Sequence, residues 1–185
     1  MMERFTLAQA AEWTGGKAHG AASLSSVSTD SRQIPPETLF LPLKGERFDA
    51  HDFIAKAVDN GAAAVVSHRQ NETYPVPVLY VENTAQALLD LAGGYRRLCG
   101  GKVVGVTGSV GKTTTKELLY AVLRQQFCAQ KTEGNLNNEV GLPLTLLQMT
   151  RKTEVMVAEM GMNHFGELSR MTAAAQPDIA VITNI

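Results

Sequence analysis

The stretch Gly105-Val106-Thr107-Gly108-Ser109-Val110-Gly111-Lys112-Thr113-Thr114 decides how the rest of this chain is read. Before it lies Lys102-Val103-Val104, the start of an apolar run of strand type, and after it Leu118, Leu119, Val122 and Leu123 recur at helical spacing. Strand, glycine loop and helix in that order make a cradle for polyphosphate. Small residues let consecutive backbone amides turn toward one anion, and the helix start adds its positive end. Gly108 and Gly111 supply the freedom, Lys112 brings an ammonium to the terminal phosphates, and the Thr113 hydroxyl is placed to ligate Mg2+. The strict pattern has glycine where Val106 stands, so the loop is a variant. Thr107, Gly108, Ser109, Val110, Gly111, Lys112, Thr113 and Thr114 are the expected ATP contacts. A plain tight turn with a surface lysine would leave Gly111-Lys112-Thr113 at a helix start unexplained.

From this cradle onward the chain alternates strand and helix. Strands are expected near 128–132, 155–160 and 180–183, and helices over 112–125, 143–149 and 164–174. Such alternation predicts a parallel sheet covered on both faces. Glu159 ends the run Val155-Met156-Val157-Ala158, at the C-terminal edge where ligands of parallel sheets sit. A carboxylate there suits the metal that bridges terminal phosphates; the competing account is an acidic residue leaving the sheet for water. Thr132 to Pro143 carries three asparagines between two glycines. Their amides can bind a carboxylate or phosphate without adding charge, although asparagine is equally at home in turns and helix caps. His164 stands before Gly166-Glu167 as a candidate catalytic or substrate contact, with a solvated helix-start residue as the alternative.

The first part reads as a smaller α/β unit. Thr6 and Gln9 fit a capping box at a helix that Gly15-Gly16 ends. Strands are expected over 27–29, 39–43, 63–67 and 78–81, with helices over 51–60 and around Leu88 to Leu98. The two parts are expected to divide as residues 1–82 and 83–185. Two polar loops, Thr29-Asp30-Ser31-Arg32 and Lys44 to His51, are dense in hydrogen-bonding groups. Arg32 or Lys44 can neutralise a diphosphate, and Asp49 or His51 can hold a base or ribose; solvated surface is the bland account of both.

With 17 basic and 18 acidic residues the chain carries no electrostatic footprint for nucleic acid or anionic membrane. A nucleic-acid-dependent ATPase is thereby disfavoured. Cys99 and Cys128 lack the spacing of a zinc site or disulfide framework, which fits a reduced, cytoplasmic setting. No apolar run reaches the roughly 18 to 20 residues that span a bilayer. The sequence stops at Ile185 directly after a strand, so a piece of a longer protein, inactive by itself, is expected.

Taken together, the segments STDSR (28–32), LFLPLKGERFDAHDF (39–53), TGSVGKTTTKE (107–117), TEGNLNNEVGLPLTLL (132–147), AEMGMNHFGEL (158–168) and ITNI (182–185) resemble the ATP-dependent Mur ligases. The resemblance implies an N-terminal domain for the UDP part of a peptidoglycan precursor and a central domain for ATP and Mg2+. It further implies a cytoplasmic, monomeric ligase working through an acyl phosphate. The asparagine and EMGMNHFGEL segments look more like the member that adds D-Ala-D-Ala to UDP-MurNAc-tripeptide than the one adding the third amino acid. A non-catalytic nucleotide-binding module is the alternative of another class. By position, the resemblance assigns the metal to Thr113 and Glu159, catalysis to Lys112, Glu159 and His164, and substrate contacts to Ser31, Arg32, Lys44, Asp49, His51, Asn135 and Asn138. Ala50 departs from a glycine common in relatives.

Overall fold

A computed structural model describes residues 2–45 and 48–185. Glu46 and Arg47 of the second polar loop lie outside the described residues. The chain packs as two compact units, one running to Leu88 and the other from Leu89 to Ile185.

The first unit begins with strand β1 (Phe5–Thr6) and helix α1 (Leu7–Thr14). The Thr6 hydroxyl accepts from the Gln9 amide while the Gln9 side chain accepts from the Thr6 amide, the reciprocal cap expected from the sequence. Gly15 at φ +64° ends the helix in the left-handed conformation that glycine adopts at no steric cost. Strands β2 (Lys17–His19), β3 (Ser23–Leu24), β4 (Ser26–Ser28) and β5 (Thr38–Phe40) follow. A 3-10 turn over Ala50–Phe53 leads into α2 (Ile54–Asp59), then β6 (Ala64–Ser67) and β7 (Val78–Tyr80). The main sheet runs β2-β7-β6-β5-β4, parallel except for β2 at its edge. Phe40, Ile54, Ala57, Ala62, Val65 and Val78 form a buried cluster between sheet and α2. The short strands β1, β2 and β3 escape the sequence reading because two or three residues are too few to show alternation.

Helix α3 (Thr84–Cys99) contains the division between the units. The second unit continues with β8 (Lys102–Thr107), α4 (Lys112–Leu123), β9 (Ala129–Lys131) and α5 (Gly141–Leu146). It closes with β10 (Val155–Glu159), α6 (Glu167–Ala175) and β11 (Ile179–Ile182). These four strands form a wholly parallel sheet in the order β11-β8-β10-β9. Every residue of β10 is buried, as a central strand covered on both faces must be.

Two expectations need correction. The helix expected from His164 begins at Glu167, because Gly166 at φ +86° interrupts the helical backbone and leaves His164 in the preceding turn. Only part of the apolar repeat of α4 turns inward: Leu119 and Leu123 are half-buried on the side of Lys116. Leu118 and Val122 are 64% and 71% exposed, and the residue this helix buries fully is Lys116. Residues 116, 119, 120 and 123 share one side of the helix, and 118 and 122, four apart, share another.

Candidate active site

Adjacency of β8 and β10 builds the site. Their register pairs Glu159 with Val106, so the last residue of β10 lies beside the start of the glycine loop. The loop itself bends through Gly108 at φ +138° and Gly111 at φ +83°, both in the region that side chains disfavour. At Gly108 a Cβ would come within 2.3 Å of Thr183 Oγ1, so only glycine allows this approach. The Thr183 hydroxyl donates to the carbonyls of Thr107 and Val110, and the Ser109 amide donates to Asn184 O. The segment after β11 thus braces the loop. The amides at the start of α4 have no intrahelical acceptors, and the Lys112 ammonium folds back to donate to Gly108 O at 2.7 Å. An anion seated in the bend would face these amides and compete with that carbonyl for the ammonium.

Glu159 is 2% exposed, and its two oxygens have unlike surroundings. Oε1 accepts from Asn137 Nδ2 at 2.8 Å and from Thr113 Oγ1 at 3.3 Å. Oε2 accepts no hydrogen bond; Lys116 Nζ stands 3.5 Å away. The backbone of Glu159 is fixed as well, its amide donating to Thr132 Oγ1. A buried carboxylate oxygen without a donor, next to a threonine hydroxyl and a phosphate cradle, is the hard-oxygen environment that Mg2+ prefers. Thr113 and Glu159 therefore fit the metal assigned to them.

The asparagine run folds over this edge, and it presents Asn137 to Glu159. Asn135 is exposed, and Asn138 is used locally, its Oδ1 accepting from the amides of Val140 and Gly141 at the start of α5. The loop is held close by the Gly161 amide donating to Asn137 O, and Gly141 lies so near Leu136 that a Cβ would reach 2.5 Å from its backbone. In this cluster, Asn137 and Lys116 were not singled out by the sequence. Asn137 stood inside the run already singled out, and nothing in its type separates it from its neighbours. Lys116 is one turn beyond Lys112, a spacing that places it on the same helix face.

His164 is outside this cluster: its side chain is 82% exposed and its Nδ1 sits 3.1 Å from Glu167 Oε1. Glu167 also accepts from the amides of Asn163 and His164, which holds its carboxyl below the usual range. His164, Met162, Asn163 and Phe165 surround a small surface hollow of about 190 Å³. Thr107 uses its hydroxyl to tie the strands, donating to Met160 O. Thr114 is exposed on the first turn of α4.

In the first unit a cavity of about 450 Å³ opens between Thr29-Asp30-Ser31-Arg32 and the aromatic rings of Phe48 and Phe53. Arg32 lies in a fork on Asp30, through both Nε and Nη2, and the guanidinium lowers the Asp30 pKa to about 2. Ser31 contributes to the wall, and its carbonyl accepts from Asn60. Lys56, on α2, lines this cavity, whereas Lys44, Asp49 and His51 do not. Lys44 is exposed and bridged to Asp49 through backbone. His51 is buried against the ring of His68, its Nδ1 2.5 Å from Asp49 Oδ1. Burial pushes the His51 pKa down, beyond what Asp49 restores. Burial also opposes ionisation of Asp49, yet hydrogen bonds from His51 and Arg69 hold its carboxyl well below the ordinary value. Both oxygens of Asp49 are thus committed to its neighbours, and the pair organises the 3-10 turn instead of facing the cavity.

Comparison with known proteins gives the family and the fold. Residues 106–185 match the family model described as Mur ligase middle domain, and residues 23–96 match that described as Mur ligase family, catalytic domain. The UDP-N-acetylmuramoyl-tripeptide–D-alanyl-D-alanine ligase of Bacillus subtilis is 48% identical over 88% of this chain and 36% of that protein. Its Escherichia coli counterpart is 40% identical over 97% of this chain and 40% of that protein. A crystal structure of MurF from Acinetobacter baumannii superposes on the whole chain with a TM-score of 0.93 at 38% identity, covering 42% of that chain. MurF ligase from Thermotoga maritima, solved in complex with ADP, aligns over 86% of this chain and 37% of that one, with a TM-score of 0.79 and 39% identity. The chain thus spans about two fifths of the length of these relatives.

Proposed function

Since the chain belongs to the Mur ligase family, we propose that it carries the precursor-binding and nucleotide-binding parts of an ATP-dependent ligase that joins D-Ala-D-Ala to UDP-MurNAc-tripeptide. The observation that carries the reading is the buried carboxylate of Glu159, with one free oxygen, beside a glycine loop ending in Lys112-Thr113. The names of the B. subtilis and E. coli relatives support this acceptor and amine over the third-amino-acid ligase.

A carboxylate is a poor acylating agent at neutral pH because its oxide is a poor leaving group. Transfer of the ATP γ-phosphoryl group to the tripeptide carboxylate replaces that oxide with phosphate, and the amine of D-Ala-D-Ala then displaces it to form the amide. Catalysis is mostly positioning and stabilisation of charge. The loop amides and the start of α4 cradle the phosphates. Lys112 leaves Gly108 O for the transferring phosphoryl oxygens. Thr113 and Glu159 would hold Mg2+, which would neutralise phosphate charge, and Asn137 fixes the Glu159 carboxylate through its hydrogen bond to Oε1. In the first unit the Thr29–Arg32 cavity suits the UDP end of the precursor: rings of Phe48 and Phe53 offer stacking for a base, and Lys56 and Arg32 offer charge for the diphosphate. His164, exposed near Phe165, is assigned to contact with the acceptor peptide. We assign the reaction to the cytoplasm, in keeping with its dependence on ATP.

The test is D-Ala-D-Ala-dependent phosphate release and amide product from UDP-MurNAc-tripeptide, Mg2+ and ATP, using the full-length ligase containing these residues. Product from a diamino acid in place of D-Ala-D-Ala, with UDP-MurNAc-dipeptide as acceptor, would overturn the assignment in favour of the sister ligase. Retained function in a Lys112→Ala protein would instead point to a non-catalytic nucleotide module.

A further inference from the structure

Beneath Glu159 lies a lysine that the reaction above does not use. Lys116 is 1% exposed, and its Nζ stands 3.5 Å from Glu159 Oε2 and 3.3 Å from Glu117 Oε1. A buried ammonium is costly unless it is paired, so these carboxylates are the reason it can be there. Both separations nevertheless exceed the roughly 2.8 Å of a charge-assisted hydrogen bond. The ammonium is shared between two carboxylates and saturates neither. Their surroundings differ: Glu159 is enclosed, whereas Glu117 is half exposed and tied on its outer side to Lys131.

We propose that Lys116 is a mobile counter-ion for Glu159, a positioning residue that neutralises the buried carboxylate until a divalent cation takes Oε2, and that then moves its weight onto Glu117. The inference rests on the nucleotide reading above. Its physical content is competition: ammonium and metal share one oxygen, so Lys116 sets how much Mg2+ the site needs. Without the ammonium the metal loses a like-charged neighbour, while a metal-free polyphosphate meets an uncompensated carboxylate. Without the charge on Glu117 the ammonium has only Glu159 to serve, and the metal must displace it from a tighter pair.

ADP binding, measured by calorimetry across a Mg2+ series with acceptor and amine both left out, tests this without any amide formation. In Lys116→Met, metal-free ADP affinity falls, affinity at saturating Mg2+ is kept, and the Mg2+ midpoint moves about tenfold lower; in Glu117→Gln it moves about tenfold higher, shifts of the size that charge pairs at this range produce. Lys116→Arg keeps the wild-type midpoint. A merely structural lysine predicts weaker ADP binding at every Mg2+ concentration for Lys116→Met and no change for Glu117→Gln, and that pattern overturns the proposal. Should Lys116→Met fail to fold, the half-exposed Glu117 variant decides by itself: an unmoved or lowered midpoint overturns the counter-ion. Wild-type protein that binds no ADP overturns the nucleotide reading with it, whereas wild-type binding with unmoved variant midpoints removes the counter-ion alone.

Discussion

Thr113 and Glu159 meet, with Lys112 turned back on the adjoining bend, because a parallel register puts the end of β10 beside the loop after β8. Each has a separable task, and substitution reads them separately. Lys112→Ala removes the ammonium that donates to Gly108 O at the bend and is expected to lower kcat/KM by about 10²- to 10³-fold, the range seen when a single charge-stabilising donor is lost. Steady-state kinetics with saturating Mg2+ checks it. The asparagines give a sharper contrast. Asn137→Ala frees Glu159 Oε1 from its 2.8 Å donor and is expected to cost about 1 kcal/mol of Mg2+-ADP affinity, the typical worth of one such hydrogen bond. Asn135→Ala, at an exposed position, leaves Mg2+-ADP affinity at the wild-type value. Equal effects of the two on ADP titrations would show that the loop acts as a whole and that Asn137 has no special standing.

The glycine loop works as an element only because its backbone is held in conformations other residues resist. Gly108→Ala adds strain at φ +138° and sets a methyl against Thr183 Oγ1, where the gap is 2.3 Å. The expected cost is about 1–3 kcal/mol of stability, the usual range for a residue forced into a sparsely populated conformation, with loss of ADP binding beyond it. Denaturant titration followed by calorimetry separates the two effects. At the other end of the chain, Thr6→Ala breaks the reciprocal cap of α1 and is expected to cost about 1 kcal/mol without touching nucleotide affinity. Helix α4 forms where its apolar repeat places it, with Leu119 and Leu123 half-buried and Leu118 and Val122 in solvent, yet the one side chain it buries fully is Lys116, facing Glu159.

Across the molecule, acid sensitivity follows from groups whose folded pKa is depressed. His51 is held neutral by burial, so below its ordinary value of 6.5 the unfolded chain takes up a proton that the folded chain refuses. Stability is full above that pH and declines as pH falls through it. Asp49 in the first unit and Asp178 in the second add a later loss. Asp178 accepts from Lys102, the Val103 amide and Arg96, so it too is held below its ordinary value of 3.8, and its contribution is lost as pH drops under that value. Denaturant midpoints measured against pH are therefore expected to fall in two stages, the first beginning near 6.5. Replacing His51 with Gln should flatten the first stage and leave the second; a His51→Gln profile parallel to wild type would exclude the buried imidazole as its source. Among the described residues no helix is long and apolar enough to cross a membrane.

What the sequence by itself determined is whatever depends on neighbours along the chain. The strand, bend and helix of residues 102–123, the capping box at Thr6 and Gln9, and the strand ending in Glu159 are all local patterns of period, cap and turn. Only the tertiary structure decided which polar groups face one another. It selected Asn137 from a run of equals, buried Lys116, turned Asp49 and His51 onto each other, and brought Phe48, Phe53 and Lys56 to the Thr29–Arg32 cavity. The reason is physical: periodicity tells which side of an element is covered, but a side chain's partner is set by strand order and register between segments 22 to 46 residues apart, as at Asn137, Thr113 and Glu159.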